Sequence, residues 1–549
     1  MSQSDTATSL SGTLLCCHGQ GLMNIRPAPL TFSTASLAEL TPIDHLIRSA
    51  EIHANRLAVV DGNLRQTYAE LLDECGRQAA ALHNLGVKPG DRVAVLAPNT
   101  SLLLQAHFSV PMAGGVLVAL NTRLAKHEIA TIVQHSGAVI VIVDEELEAK
   151  VEDVQVRVVT AGEFHRLALD APFLHLPVQD ERSLVAINYT SGTTGRPKGV
   201  MYHHRGAYLQ SVAMAYHLGL GVNTVYLWTL PMFHCNGWTF PWAVVAAGGT
   251  QICQRKVVPT ETWRLIREEG VNCMCSAPIV LSDLVRAPEA FHLENRVTVG
   301  TGGSSPSPTL LAESDELGFD VIHMYGLTET FGPVIVSPWY PEWDYLPEDA
   351  RARLKARQGA PNIISQPLCV VGKDGLIVEK DGKSLGELWL RGNNVTLGYF
   401  NDPEQTEKDY GKGWFRTGDL AVWHEDGMIE LRDRSKDIII SGGENISSIE
   451  VEQALTSHPA VAEAAVIAVA HTRWGEVPVA FVTLRQGSTC SQEELINWSR
   501  DRLAHFKAPR RVIFSDLPKT STGKIEKFQL RAQLLSQDDT ATEIGRDSE

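Results

Sequence analysis

No apolar run in the 549 residues approaches the roughly 18 needed to cross a bilayer, so no integral membrane segment is expected. Nor is there an excess of positive charge: 48 Lys and Arg stand against 64 Asp and Glu, for a formal net charge of −16. Such a chain lacks sequence-wide attraction for nucleic acid or anionic lipid, and neither is expected as a partner. The nine cysteines are scattered, with no C-x-x-C pair and no metal-ligand spacing. That argues against a disulfide framework or a zinc site and fits reduced thiols in a cytoplasm. The opening MSQSDTATSLSGTLLCCHGQGL lacks the basic n-region of a secretory signal, and the closing GRDSE is no peroxisomal tripeptide. A cytoplasmic protein is expected.

What is present is the composition of an ordinary globule, 44% hydrophobic and 20% charged, in a chain too long for one core. Short β-branched runs, RVAVLAP (92–98), VLVALN (116–121), AVIVIVD (138–144) and LVAINYTSG (184–192), alternate with helix-period segments such as AELLDECGRQAAALHNLG. This alternation predicts an α/β fold: a large N-terminal domain of mostly parallel sheets flanked by helices. Near residue 430 the texture changes. WFRTGDLAVWHEDGMIELRDR predicts a hairpin around Asp426-Gly427, and Ser491 and Glu494 are spaced as a capping box before a helical segment. The expected organisation is a loosely ordered extension over 1–30, a main domain over 31–432, a small α+β domain over 433–535 and a tail over 536–549.

The stretch YTSGTTGRPKG (189–199) nearly spells a phosphate loop, with Lys198 at the right distance from Gly192. Pro197 and Gly199, however, replace the second glycine and the Mg²⁺-binding hydroxyl residue. Thr190, Ser191, Thr193 and Thr194 offer hydroxyls, and the glycines let backbone N–H groups approach an oxyanion. The same composition also suits a polar β–α turn. In MYGLTETFGP, Tyr325 can offer a flat face to a base, Thr328 a hydroxyl to phosphate and Glu329 a hard oxygen to Mg²⁺. GTGGSSPSP (300–308) supplies a small-residue shelf, and Asp419 in GWFRTGDL a carboxylate for ribose hydroxyls. Singly, each is as readily an ordinary structural residue.

Taken together and in order, YTSGTTGRPKG, PMFHCNGW, MYGLTET, GELWLRGNNVTLGYF, GWFRTGDL, DRSKDIIISGGENISS and PKTSTGKIEKF closely resemble the AMP-forming adenylating superfamily. That superfamily includes acyl-CoA synthetases, luciferases and peptide-synthetase adenylation domains. The forms of PMFHCNGW, DRSKDIIISGGENISSIEVE and KTSTGKIEKFQLR look most like enzymes making short- and medium-chain or aromatic acyl-CoA.

The resemblance implies ATP, Mg²⁺ and coenzyme A as cofactors and a small carboxylic acid as substrate. Lys524, His234, Glu329 and Thr328 become the expected catalytic residues, with Glu329 also holding the metal. Thr190, Ser191, Gly192, Thr193, Thr194 and Lys198 would hold the β and γ phosphates, Tyr325 would stack on adenine with Gly303 and Ser304 behind it, and His323 and Gly326 would also belong to the cofactor site. Asp419 and Arg434 would take the ribose. His234 would seat the carboxylate, with Cys235, Trp238 and Ala277 as pocket walls. Lys524 would bridge the carboxylate and the α-phosphate. The small domain would then rotate about a hinge at 433–436, including Lys436, to bring Gly442, Gly443 and Glu444 to the pantetheine tunnel.

Residues 500–531 carry nine Lys and Arg against three acids, and Lys507, Arg510 and Arg511 could meet the CoA phosphates or form a solvated face. Two other outcomes share these motifs: an acyl-AMP ligase delivering to a carrier protein, and a luciferase-like oxygenase. A homodimer is compatible with either.

Overall fold

The computed structural model describes residues 37–190, 197–304, 306–347, 350–351, 354–355, 357–434, 436–442, 444–520 and 525–538. Among them, one sheet of nine strands has its interior pairings parallel and antiparallel pairings only towards its ends. A second sheet runs Arg157–Thr160, Ala138–Val143, Arg92–Leu96, Val116–Ala119, Leu184–Thr190, Lys198–His203, parallel except for its last pair. A strand covered by helices on both faces needs apolar side chains on both. Accordingly AVIVIV is buried at five of its six positions.

The helix Tyr68–Asn84 starts where Thr67 and Glu70 form a reciprocal capping box, and it buries Leu71, Cys75, Gln78, Ala79 and Leu82 along one face. That face joins a core shared with Phe108, Tyr202, Trp228, Phe240 and Trp242. Such large rings between sheets and helices bury more apolar area than any other side chains and hold the layers in register.

Beyond these layers, an antiparallel sheet of four strands ends in the predicted hairpin, Phe415–Trp423 paired with Ile429–Arg434. A five-stranded sheet follows, built from Ile439–Ser441, Glu444–Ile446, Val461–His471, Gly475–Leu484 and Arg511–Phe514 with helices Ser448–Thr456, Gln492–Arg500 and Lys527–Asp538. Its core of Ile439, Val451, Leu455, Val466 and Leu495 is separate from the others. The chain is thus a large α/β domain followed by a smaller α+β one. One local expectation is half met: Ser491 accepts the Glu494 N–H at 3.1 Å, but the Glu494 carboxylate meets His458 at 3.3 Å. An available imidazole outbids the backbone N–H for that carboxylate.

Four buried histidines, His45, His107, His203 and His204, are each held down to about 4, chiefly by burial. In the unfolded chain they titrate near 6.5, so between those values the unfolded state binds more protons. The penalty is absent above about 6.5 and complete below about 4. The urea midpoint is therefore expected to fall steadily as pH drops from about 7.5 to 4.5; a flat profile would contradict these placements.

Candidate active site

Thr190 ends one strand and pairs in register with Lys198, which opens the next, antiparallel strand. The chain on either side of the glycine-rich stretch is therefore two antiparallel strands, and the element that follows it is a strand and not a helix. The composition of that stretch suits either connection, and the pairing of Leu184–Thr190 with Lys198–His203 decides between them. Ser191, Gly192, Thr193 and Thr194 lie outside the described residues. The segment 397–400 lies alongside the second strand, with Leu397 N–H donating to the Met201 carbonyl and Phe400 N–H to that of Gly199.

This crossing brings distant residues together. The Tyr399 hydroxyl donates to Glu329 at 2.9 Å and lies 3.0 Å from an Asp409 oxygen. The Lys198 ammonium sits 4.6 Å above the Tyr399 ring and 3.9 Å from Asp409. Burial pushes the Glu329 carboxyl up from the usual range, while the Tyr399 hydrogen bond and the Lys198 charge oppose that rise. A half-buried carboxylate so placed gains from any further cation.

A second cluster adjoins the four-stranded sheet. Asp419 and Arg434 are cross-strand partners, with Nε of Arg434 3.2 Å from Oδ1 of Asp419. Tyr325 donates its hydroxyl to the other carboxylate oxygen at 2.6 Å. The Arg434 charge also reaches Glu329, so the two clusters share one field. His323 is buried beside the Arg357 carbonyl at 3.1 Å. Gly303 and Ser304 are exposed, and Gly303, at φ +85, has open space where a side chain would start.

The third group faces the first. Thr328 is buried, its carbonyl accepting the Tyr202 hydroxyl at 2.7 Å and its own hydroxyl accepting the Cys235 thiol at 3.3 Å. His234 Nε2 is 3.7 Å from the Cys235 sulfur. Burial pushes the Cys235 thiol up to about 12, so it is a donor and not a nucleophile. Trp238 crowds the space where side chains at Gly302 and Gly332 would start, at 3.1 and 3.2 Å, and at Gly302 the Met324 carbonyl oxygen stands closer still, at 2.4 Å. Ala277 caps the helix Pro278–Val285 at the end of a neighbouring strand.

Other expected residues stand apart. Lys436 is exposed, and Gly442 and Glu444 belong to the turn and second strand of a short hairpin, with the Gly442 N–H on the Trp474 carbonyl at 2.7 Å. Lys507 is held by both Glu450 oxygens at 2.8 Å, so its charge is already matched, whereas Arg510 and Arg511 are exposed. Gly443 and Lys524 lie outside the described residues. Sequence reasoning missed Tyr399, Asp409, Tyr202, Asn188 and Asn236. Tyr399 lies within a quoted motif, but no spacing rule links it to Glu329.

Residues 46–400 match the AMP-binding enzyme family and residues 450–524 the AMP-binding enzyme C-terminal domain, and the chain belongs to this family. It is 42% identical to acetate–CoA ligase CCL3 of Humulus lupulus, over 91% of this chain and 96% of that one. To the peroxisomal benzoate–CoA ligase of Arabidopsis thaliana it is 40% identical, over 91% and 94%. Among solved structures, o-succinylbenzoate CoA synthetase from Bacillus subtilis with its acyl-adenylate superposes with a TM-score of 0.81 at 30% identity, covering 90% of this chain and 99% of that one. The same enzyme has also been solved with ATP and a magnesium ion, with a TM-score of 0.79 and 29% identity over 89% and 99% of the two chains.

Proposed function

We propose that this protein is an AMP-forming acyl-CoA ligase, joining a short- or medium-chain fatty acid or an aromatic acid to coenzyme A through an acyl-adenylate. The observation that carries this reading is the convergence of Lys198, Glu329, Asp419, Arg434, Thr328 and His234, drawn from four separate segments, on one site. It matches relatives named as ligases of acetate, benzoate and 2-methylpropanoate.

Two reactions share the site. First, a carboxylate oxygen attacks the α-phosphorus of ATP and pyrophosphate leaves. Then the CoA thiolate attacks the acyl carbon and AMP leaves. Lys198 and Thr190 hold the departing phosphates, Thr328 the α-phosphate, and Asp419 with Arg434 the ribose. Gly303 and Ser304 leave an open ledge for adenine beside Tyr325. His234 seats the acid. Glu329, a hard oxygen donor whose charge is penalised until balanced, fits a magnesium ion. Bound there, that ion would offset phosphate charge. Lys524 supplies the preorganised cation for the first step, stabilising charge that builds in the transition state.

For the second step the small domain turns about 433–436. The hairpin bearing Gly442 and Glu444, whose Ile440 is half exposed, moves to the acyl carbon, and exposed Arg510 and Arg511 meet CoA phosphates. Among the described residues no helix is long and apolar enough to cross a membrane. The free thiols of Cys75, Cys235, Cys253, Cys273 and Cys275 suit a reducing compartment, and we place the protein in the cytoplasm.

The test incubates enzyme with MgATP, CoA and a panel from acetate to decanoate plus benzoate and cinnamate. One AMP and one thioester per acid consumed is expected for at least one member. AMP without thioester would overturn the CoA assignment and favour delivery to a carrier protein.

A further inference from the structure

Cys235, Asn236, Gly237, Trp238 and Thr239 have φ of 50, 49, 56, 54 and 67°, so five successive residues form a left-handed turn. Only one is glycine. This conformation is disfavoured for L residues and most of all for a bulky Trp and a β-branched Thr, so single residues rather than runs adopt it. Such backbone persists where surrounding contacts over-determine it, and those places cluster at working sites. Here the turn joins His234 to the wall residue Trp238.

The contacts that impose the turn are visible. Inside it, Gly237 N–H donates to the His234 carbonyl and Thr239 N–H to that of Asn236, each at 2.9 Å. At Gly237 a side chain would strike the Trp228 ring. From outside, the turn is gripped by one residue through two bonds. The Asn188 amide donates to Asn236 Oδ1 at 2.5 Å, and its oxygen accepts the Asn236 backbone N–H at 3.2 Å. Both asparagines are buried, at 2% and 0% exposure; Asn188 uses both its amide oxygen and its amide nitrogen on Asn236, whereas the Asn236 Nδ2 is buried without a partner among the described residues. Asn188 lies on the strand Leu184–Thr190, two residues before Thr190 and on the same face. The turn in turn presents the Cys235 thiol to the Thr328 hydroxyl.

We infer that Asn188 and Asn236 are positioning residues for adenylation: their amide pair pins the left-handed turn to the strand that carries the phosphate loop. It thereby sets His234 and the Thr328 hydroxyl, the groups of the acid and of the α-phosphate, at a fixed separation from Thr190 at the end of that strand. Neither asparagine touches substrate. The inference rests on the ligase reading and adds to it the device that aligns its two reactants. Attack on phosphorus needs both reactants within a narrow geometry, and a displacement of about 1 Å can cost on the order of 10²-fold.

The experiment is a double-mutant cycle on the full chain with Asn188→Ala and Asn236→Gly. Glycine keeps the left-handed backbone accessible, and the one side-chain hydrogen bond it removes is that accepted from Asn188, because the Asn236 Nδ2 has no partner among the described residues. Pyrophosphate release without CoA reads the first half-reaction, and thioester formation from supplied acyl-adenylate reads the second. Each single variant is expected to slow the first about 10²-fold. The double variant should fall no more than about twofold further, because the pair acts as a unit. The second half-reaction should stay within about twofold of wild type in all three.

Multiplicative losses, equal losses in both half-reactions, or single variants close to wild type would each overturn the inference. If Asn188→Ala does not fold, Asn188→Ser takes its place. Wild-type turnover in the same assay decides the ligase reading independently of the cycle.

Discussion

Replacing Lys524 with alanine is expected to slow acyl-adenylate formation by about 10²–10³-fold, the usual cost of removing one preorganised group from a developing oxyanion. The conversion of supplied acyl-adenylate and CoA to thioester should remain near wild type. The asymmetry is the informative part. A lysine that bridges carboxylate and α-phosphate has work only while those bonds exchange, and in the second step it would shield the acyl carbon from the thiolate. The residues flanking it are anchored: Lys519 pairs with Ile525, and the Glu526 N–H donates to the Pro518 carbonyl at 2.8 Å. Further along, Lys527 reaches Glu452 at 2.7 Å and Arg531 reaches Asp437 at 2.6 Å. Those two ion pairs tie the helix after Lys524 to the helix Ser448–Thr456 and to the end of the proposed hinge. Stopped-flow pyrophosphate release and a separate thioester assay measure the two steps. Equal losses in both would contradict alternation of the small domain.

The second large effect is structural. At Gly326 a Cβ would stand 1.9 Å from the Gly332 carbonyl oxygen and 2.8 Å from Pro333 Cα. Both obstacles are backbone, and the pairing of Phe319–Leu327 with Gly332–Val336 already shifts register between Tyr325 and Gly326. The strand has little room to yield, because Tyr325 is fastened to Asp419 on one side and Thr328 to Tyr202 on the other. Gly326→Ala should therefore destabilise the chain by about 3 kcal/mol, the upper end of ordinary overpacking. Urea unfolding followed by tryptophan fluorescence checks this, and an unchanged midpoint would show that the two strands separate more easily than their contacts imply. Any folded fraction should also bind MgATP more weakly, since Tyr325, Thr328 and Glu329 sit on either side of the displaced backbone.

Parts of this molecule are legible without coordinates for physical reasons. RVAVL, VLVA and AVIVIV are strands because only central parallel strands demand apolar side chains on both faces, and Asp426-Gly427 turns because it supplies the positive φ at Gly427 that the hairpin requires. Asp419, Arg434, Thr328 and Glu329 are expected through the motifs they sit in, with Arg434 named only by the resemblance, and the structure places Asp419 opposite Arg434 on neighbouring strands. What is not readable depends on crossings. Tyr399 contacts Glu329 across 70 positions, and Asn188 grips Asn236 across 48. No periodicity reports either. The left-handed turn is hidden for another reason: Trp238 and Thr239 are residues that normally refuse that conformation, so local propensity points the wrong way. The glycine-rich stretch illustrates a third limit, because its composition fits a connection into a helix as well as one between the antiparallel strands that flank it.

The central claim is that the acid's own oxygen attacks the α-phosphorus, and an isotope experiment tests it most directly. With both carboxylate oxygens labelled by ¹⁸O, one must bridge carbon and phosphorus in the adenylate and leave with AMP when the thiolate displaces it. The other must stay as the thioester carbonyl. Mass spectrometry of a turnover mixture containing an accepted acid, MgATP and CoA is predicted to find one ¹⁸O in each AMP and none in pyrophosphate. Unlabelled AMP, or label in the pyrophosphate or phosphate released, would contradict the account.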